Sequence, residues 1–281
     1  MKNIAVLLTC HNRKDKTLSC LQSLYNAELP DTTKLNVFLV DDGSTDGTAK
    51  VVKESFPKVN IIQGTGNLYW AGGMRLAWNV AINNDNYDAF LLLNDDTVLY
   101  NNAITDLLSA HNYCLEKYNK AGIYIGSTRE SKTGEFTYGG KRLKSNNNKI
   151  IPNDNYQLAD LANANILVIS KDVYNEVGIF DSKYTHGIAD YDYSLRAKKY
   201  GYPLIVCPNY QGECNNDHGN NWKSSDTTLK ERINYLYSPT GLAYNEYIYY
   251  IKKHFGGKAY FISIIKLWLK TIFPVLWDRF K

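Results

Sequence analysis

The sequence is short of several features that would narrow its class at once. Only five cysteines occur among its 281 residues, in an odd number, at irregular spacing and without a CxxC pair. This argues against the disulfide framework of small secreted domains and against the usual zinc sites. The N-terminal apolar run, residues 4–8, is too short for a signal peptide. We therefore expect a reducing, cytosolic compartment.

Basic charge is also missing from most of the chain. Residues 252–281 hold seven basic residues and one acid, a net charge of +6, whereas the whole chain carries +4, so that the remainder is at −2. A protein that binds nucleic acid usually carries its basic residues across a folded surface. The distribution argues against nucleic acid as a partner and makes the positive charge a property of the C-terminal tail.

Short apolar runs alternate with segments of helical spacing in the first 120 residues. The runs that predict buried strands are residues 4–8, 35–40, 59–62 and 89–93. The segments that predict helices are residues 15–26, 48–56, 74–82 and 103–118. Such alternation is typical of βαβ units, so we predict an α/β fold with a mainly parallel sheet. In such sheets, ligands bind beyond the carboxyl ends of the strands.

Beyond residue 121 the pattern is weaker. Residues 130–155 are rich in Gly, Lys, Ser and Asn and predict a loop-rich segment. Residues 164–170 and 204–207 predict further strands, with a helix over 190–200 between them.

Two predicted strands run directly into paired aspartates. Asp41 and Asp42 follow the second run, and Asp95 and Asp96 follow the fourth, after Asn94. Carboxylates there can accept hydrogen bonds from a base or a ribose, and Mg²⁺ or Mn²⁺ binds through one or two carboxylates plus substrate phosphates. The alternative is a purely structural role, because aspartates also form turns and cap helices. We favour function for the first pair because it follows a buried strand directly, and for the second because the next helix starts later, near residue 101, so that a role at a helix N-terminus explains these acids less well.

Two further positions are candidates. Asp190 opens a predicted helix and could be a general base. Asp192 is more simply explained as an i, i+4 partner of Arg196. His218 lies in a polar loop, where a surface histidine is the ordinary interpretation.

Two Gly-rich stretches, residues 64–67 and 70–73, match neither the dinucleotide fingerprint nor the phosphate loop. We expect them to leave room for a ligand close to the backbone. Asn67 could then bond a phosphate or a ribose.

Together these motifs resemble the family 2 glycosyltransferases, which have the GT-A fold. The matching segments are residues 6–13 (VLLTCHNR, similar to a strand with a T-x-x-N-R opening), 40–48 (VDDGSTDGT), 66–73 (GNLYWAGG, similar to N-x-G-x-x-G-G), 94–96 (NDD, at the place of the D-x-D metal motif) and 190–196 (DYDYSLR, similar to E-D-x-D-x-x-x-R). Their order over roughly residues 1–220 makes the resemblance specific, where each motif alone is not.

The resemblance implies roles for individual residues. Thr9, Asp41 and Asp42 would contact the base and ribose, Asp95 the nucleotide, and Asp96 a Mn²⁺ or Mg²⁺ ion; Asp190 would deprotonate the acceptor hydroxyl, and His218, 28 residues later, would be a further metal ligand. Asn94 replaces the first acid of the metal motif, and Ala189 replaces the glutamate before the base.

The resemblance also implies a reaction. It is the inverting, metal-dependent transfer of a sugar from dTDP-rhamnose or a UDP-sugar to a hydroxyl of a growing, lipid-linked cell-surface glycan. Two alternatives stay open. A sugar-1-phosphate nucleotidyltransferase needs a Gly-rich basic loop that residues 9–16 do not offer, and a non-catalytic binding module would not need Asp96 and Asp190.

We expect three parts along the chain. Residues 1–120 would form the nucleotide-sugar half and residues 121–250 the acceptor-binding and catalytic half of one GT-A domain, followed by a basic amphipathic helix over 251–281. Lys266 and Lys270 argue against a bilayer-spanning helix, and a basic helix with aromatic residues fits a membrane surface. The alternative is a helix packed on the catalytic domain. We expect a cytoplasmic protein, peripheral on the inner face of the cell membrane, and leave a homodimer open.

Overall fold

The computed structural model describes residues 1–143, 148–215 and 226–275, so His218 lies outside the described residues. The strands are β1 Asn3–Cys10, β2 Lys34–Asp41, β3 Asn60–Gln63, β4 Ala89–Leu93, β5 Val98–Leu99, β6 Ile123–Ile125, β7 Thr128–Arg129, β8 Gly140–Lys141, β9 Gln157–Leu158, β10 Leu161–Ala162, β11 Ile166–Ser170, β12 Leu204–Val206 and β13 Gly212–Glu213. The helices are α1 Lys14–Asn26, α2 Thr48–Ser55, α3 Tyr69–Asn84, α4 Ala103–Tyr118, α5 Lys171–Val177, α6 Ala189–Lys199, α7 Leu229–Tyr237 and α8 Tyr244–Ile272.

Eight strands form the central sheet in the order β3-β2-β1-β4-β11-β6-β12-β9. The first four are parallel neighbours. β11 runs antiparallel to both β4 and β6, and β12 is again parallel to β6. The predicted α/β fold with a mainly parallel sheet, flanking helices and a C-terminal helix is therefore confirmed. β11 joins the two halves of the sheet.

The side chains of β1 are buried on both faces of the central sheet. Ala5 and Leu7 belong to the core on the α3 side, around Trp78. Val6 and Leu8 belong to the core on the side of α1 and α4. A strand buried on both faces is apolar at every position, which is why the uninterrupted run at residues 4–8 predicts it correctly.

α3 begins earlier than predicted, at Tyr69 instead of residue 74. The stretch 70–73 is therefore helical, and Gly73 faces Thr9 of β1. A Cβ on Gly73 would lie 2.1 Å from Thr9 Oγ1, so the helix can approach the strand only because this position carries no side chain. The expectation that residues 70–73 leave room for a ligand is wrong at Gly73, where helix–strand packing fills the space.

The C-terminal helix begins earlier than predicted and is broken. α8 begins at Tyr244, and Gly256 interrupts it with φ 83° and ψ 179°. It ends at Ile272, two residues before Pro274, which cannot donate the backbone hydrogen bond that a continued helix requires. Within the three described stretches, none of the helices combines the length and the apolar character needed to cross a bilayer.

Candidate active site

Side-chain hydrogen bonds join the loops that follow β1 and β2. The backbone N–H of Asn12 donates to Ser44 Oγ at 2.9 Å, and Asn12 Oδ1 accepts from the backbone N–H of Thr45 at 2.7 Å. Asn12 itself has φ 51°, a left-handed conformation that asparagine tolerates better than most residues. The end of β1 is thus fixed against the turn that carries Asp41 and Asp42.

Asp41 and Asp42 are both buried but have different partners. Asp42 accepts three backbone N–H groups from the segment 66–69, at 2.7, 2.8 and 3.0 Å, and uses both oxygens. Asp41 Oδ1 accepts from the Ser44 N–H at 2.9 Å, and its Oδ2 has no hydrogen-bond partner among the described residues. Asp42 therefore holds the loop before α3, whereas Asp41 has one oxygen without a partner among the described residues.

Two of the other predicted nucleotide contacts flank this pair. Thr9 is buried at the end of β1, with its side chain against Gly73. Asn67 is exposed in the loop that Asp42 holds. Both lie at the carboxyl edge of the parallel strands, which is where ligands of such sheets bind.

The second acid pair follows β4. Asn94 Oδ1 accepts from Trp70 Nε1 at 2.8 Å, so this amide positions an aromatic side chain of α3. Asp95 is only 5% exposed. Burial raises the pKa of Asp95 to about 7, with the charge of Arg13 opposing the shift and that of Asp96 adding to it. Asp95 is therefore only partly ionised at neutral pH unless a further cation lies close.

Arg13 and Cys214 contact the acid pair from two sides. Arg13 Nη1 lies 2.7 Å from Asp96 Oδ2 and 3.4 Å from Asp95 Oδ1. The thiol of Cys214, which follows β13, donates to Asp96 Oδ1 at 3.5 Å. Because β13 pairs with β5, the strand just after the acids, the topology brings the chain at Cys214 back to Asp96.

Asp190 lies in the first turn of α6, after Ile188 with φ 68°. A β-branched residue at positive φ is strained, and such strain collects at functional sites. Asp190 Oδ1 accepts from the Tyr191 N–H at 2.8 Å, and Oδ2 from the Ala164 N–H at 3.3 Å. Burial raises the pKa of Asp190 to about 6, whereas these N–H groups and the charge of Lys141 lower it. The carboxylate is therefore mostly ionised at neutral pH, yet basic enough to accept a proton.

A two-residue segment connects Asp190 with the acid pair. The N–H of Ala164 donates to Asp190, and the C=O of the next residue, Asn165, accepts from the Asn94 N–H at 3.0 Å. Asn165 Nδ2 also donates to the sulfur of Cys214 at 3.5 Å. The structure thus brings the two predicted half-sites to one edge of the sheet, although they lie almost a hundred residues apart.

Asp192 has a different environment from Asp190. The predicted pair with Arg196 is present, with Nε and Oδ2 2.8 Å apart. Asp192 Oδ1 also lies 2.7 Å from both Lys253 Nζ and His254 Nε2, and it accepts from Tyr184 OH at 3.0 Å. Although burial raises the pKa of Asp192, the hydrogen bonds from His254 and Lys253 and the charge of Arg196 outweigh it and hold this pKa well below its usual range. This carboxylate joins α6 to α8.

The order of strands, turns and acids is that of a described family. The model of glycosyl transferase family 2 matches residues 5–177, which is more than half of the chain. The chain belongs to glycosyl transferase family 2. The predicted membership of the family 2 glycosyltransferases is confirmed.

Solved structures share the fold. A mannosyltransferase of Pyrobaculum calidifontis, PcManGT, in complex with GDP-Man and Mn²⁺, is similar with a TM-score of 0.56 and 16% identity over 78% of this chain and 59% of that one. The structure of S. aureus TarS residues 1–349 is similar with a TM-score of 0.51 and 16% identity, over 76% of this chain and 60% of that one. The complex of the same TarS fragment with UDP is similar with a TM-score of 0.52 and 15% identity, over 75% of this chain and 60% of that one. The family 2 chain thus spans 59–60% of the length of these structures. No curated protein matches the sequence.

A divalent cation fits the acid pair of this family 2 member. Among the described residues, no group of three or more His, Cys, Asp and Glu side chains could hold a metal ion. Mg²⁺ needs only one or two carboxylates where substrate phosphates supply further oxygens. Asp96 has a 14% exposed side chain, and a positive group, Arg13, already lies against it. His218, the predicted further ligand, lies outside the described residues.

Three parts of this site are missing from the sequence-based prediction. Arg13 belongs to the family-like opening but has no predicted role. Trp70 falls within a Gly-rich stretch, and the segment 164–165 is predicted only as the start of a strand. Of these three parts, only Arg13 has a sequence signal that could have indicated its role. It ends the loop after β1, and β1 lies next to β4, the strand that precedes the acid pair.

Proposed function

We propose that this family 2 member is an inverting glycosyltransferase that moves one sugar from a nucleoside-diphosphate donor to an acceptor hydroxyl, with Asp190 as general base. The observation that carries the proposal is the link through Ala164 and Asn165, which holds Asp190 beside the strand end that bears Asp95 and Asp96. A base near a diphosphate site is the arrangement that a single displacement at C1 requires.

We assign the donor to the half of the domain formed by residues 1–120. Asp41, with one oxygen available, and Thr9 would contact the base and ribose. Asp42 would act by holding the loop that presents Asn67, and Asp95 would touch the nucleotide. The position of these residues at one sheet edge supports the assignment.

We assign the metal to Asp96 and His218. The contact of Cys214 with Asp96 supports this assignment, because Cys214 precedes His218 by only four residues. A bound Mn²⁺ or Mg²⁺ would offset the charge of the departing diphosphate.

The acceptor would bind to the half formed by residues 121–250. Asp190 takes the proton of the acceptor hydroxyl as its oxygen attacks C1, and the bond from C1 to the phosphate oxygen breaks. No covalent enzyme intermediate is formed, so the anomeric centre inverts. Lys141, whose charge lowers the pKa of Asp190, helps to keep this base ionised before the transfer.

A donor panel tests the function. We expect release of nucleoside diphosphate from one sugar nucleotide among dTDP-rhamnose, UDP-sugars and GDP-mannose, dependent on Mn²⁺ or Mg²⁺ and lost on chelation. A nucleotidyltransferase would instead form pyrophosphate from a nucleoside triphosphate and a sugar phosphate. A non-catalytic module would bind a donor without releasing product, even in the presence of acceptor extracts. Either result would contradict the proposal.

We propose further that the acceptor is a lipid-linked glycan and that the second half of α8 lies on the membrane surface. Its outer face exposes a stripe of large apolar side chains: Phe261, Ile262, Ile265, Leu269 and Ile272. Lys258 and Lys266 are exposed beside them. The opposite face is covered, because Leu267 and Thr271 are buried and Arg232 of α7 donates to the C=O of Thr271 at 2.7 Å. An apolar face flanked by lysines is typical of a helix at an anionic lipid surface.

Liposome flotation tests this surface. Replacement of Phe261, Ile265 and Leu269 by serine should abolish flotation with anionic vesicles, since these side chains provide most of the apolar area. The matched control replaces the exposed Leu158 of β9 and Val98 of β5, which belong to neither α7 nor α8, by serine and should float like the parent chain. Equal flotation of the parent and the stripe variant would contradict the membrane proposal.

A further inference from the structure

Arg13 brings a positive charge into contact with both acids of the second pair. It precedes α1, and its Nη1 atom contacts Asp96 Oδ2 at 2.7 Å and Asp95 Oδ1 at 3.4 Å. Its side chain is 44% exposed, whereas those of Asp95 and Asp96 are 8% and 14% exposed. A partly solvent-exposed cation thus lies over two carboxylates that are largely withdrawn from water.

Two adjacent carboxylates of low exposure repel each other, so a positive partner stabilises them. Arg13 is that positive partner, and it contacts the same two carboxylates that a divalent ion would use. A guanidinium and a divalent ion cannot both approach Asp96 Oδ2 closely. Binding of one therefore opposes binding of the other.

Hydrogen bonds hold the backbone around Arg13, and the side chain extends from it over the acid pair. The preceding residue, Asn12, is fixed to Ser44 and Thr45, and the N–H of Thr17 donates to the C=O of Arg13 at 2.9 Å. Because an arginine side chain has several rotatable bonds, its guanidinium can exchange one anionic partner for another while the backbone stays in place. Its planar fork of donors suits a phosphate as well as a carboxylate.

We propose that Arg13 is the resident counter-cation of the acid pair, that it leaves Asp96 when a divalent ion binds there, and that it then binds the diphosphate of the donor. The inference rests on the metal site of the proposed function. It makes Arg13 a coupling residue: it weakens metal binding to the empty enzyme and strengthens nucleotide binding to the metal-loaded enzyme. Metal and nucleotide then favour each other's binding.

The test is Mn²⁺ binding by the full chain, followed by electron paramagnetic resonance of the free ion. Arg13→Gln should bind Mn²⁺ without nucleotide roughly five- to tenfold more tightly than the parent, since the competing ion pair is gone. With saturating UDP, GDP or dTDP, whichever binds the parent, the gain in Mn²⁺ affinity caused by the nucleotide should be smaller in Arg13→Gln than in the parent. Arg13→Lys keeps the charge and should bind Mn²⁺ close to the parent level.

Lys14→Gln is the matched control. It removes one positive charge from the next residue, whose side chain makes no ion pair with an acid of the described residues. It should leave Mn²⁺ affinity close to that of the parent. If Arg13→Gln binds Mn²⁺ no more tightly than the parent, or if Lys14→Gln shows the same gain, the proposal is overturned.

Asp96→Asn separates this inference from the proposed function. Loss of Mn²⁺ binding in Asp96→Asn with unchanged binding in Arg13→Gln would overturn the role of Arg13 and leave the metal site standing. Unchanged Mn²⁺ binding in Asp96→Asn would overturn both, because the metal site itself would lie elsewhere. Thermal unfolding of each variant, expected near that of the parent, verifies that the folded chain is being measured.

Discussion

Asp190→Asn is expected to bind the donor like the parent chain and to lose about 10²- to 10⁴-fold in transfer rate. Asparagine keeps the size of the side chain, and its single carbonyl oxygen can still accept one of the two N–H groups, that of Tyr191 or that of Ala164. It cannot accept the acceptor proton. Because the donor residues lie in the other half of the site, donor affinity should stay within about twofold, well inside the spread of ordinary surface substitutions.

Two measurements distinguish this loss from general damage. Calorimetry with nucleoside diphosphate and Mn²⁺ gives donor-site affinity, and product release gives turnover. Asp160→Asn is the matched control, since Asp160 is an acid of the same half, 32% exposed and paired with Lys198. The parent rate should fall as the pH is lowered through about 6, where Asp190 becomes protonated. Near-normal turnover by Asp190→Asn would refute its assignment as the base.

Local patterns are sufficient to predict six of the eight strands of the central sheet, whereas the short strands β6 and β9 are not predicted. Strands such as β1 and β4 are apolar throughout because both faces are covered, so their position follows from composition alone. The start of α3 cannot be predicted in this way. Its glycines are typical of a loop in the sequence, but in the folded chain Gly73 allows the helix to pack against Thr9. The same holds for α8, whose first half is fixed by Asp192, some sixty residues earlier.

The site is predictable in its acids and not in what surrounds them. Strand ends and motif order are enough to indicate Asp41, Asp95 and Asp96. The cation over the acid pair, the anchor of Trp70 and the link through Ala164 are contacts between segments distant in sequence, and no local pattern encodes them. Asp42 lies between these cases: its place follows from the motif, whereas its three backbone partners do not.

The largest loss of stability is expected from Asp192→Ala. Asp192 is fully buried and accepts from Tyr184, Arg196, Lys253 and His254. Removal of one partner from a buried ion pair typically costs about 3–5 kcal/mol, because it leaves the opposite charges uncompensated. For a chain of this size, that is roughly 10 °C in the thermal unfolding midpoint.

Asp181→Ala is the control that makes this prediction specific. Asp181 shares Lys253 with Asp192, at 2.8 Å, but its side chain is 21% exposed, so its loss should cost only about 1 kcal/mol.

The contribution of Asp192 to stability depends on pH with a definite sign. Because the folded-state pKa of Asp192 is lowered, its contribution is fully present above the unfolded value of about 3.9 and is lost as the pH falls through the lower, folded value. Equal midpoints for the two variants at neutral pH would contradict the prediction. A larger loss for Asp192→Ala would mean that α8 up to Gly256 stabilises the helix that carries Asp190, so that the boundary expected at residue 251 falls inside the catalytic domain.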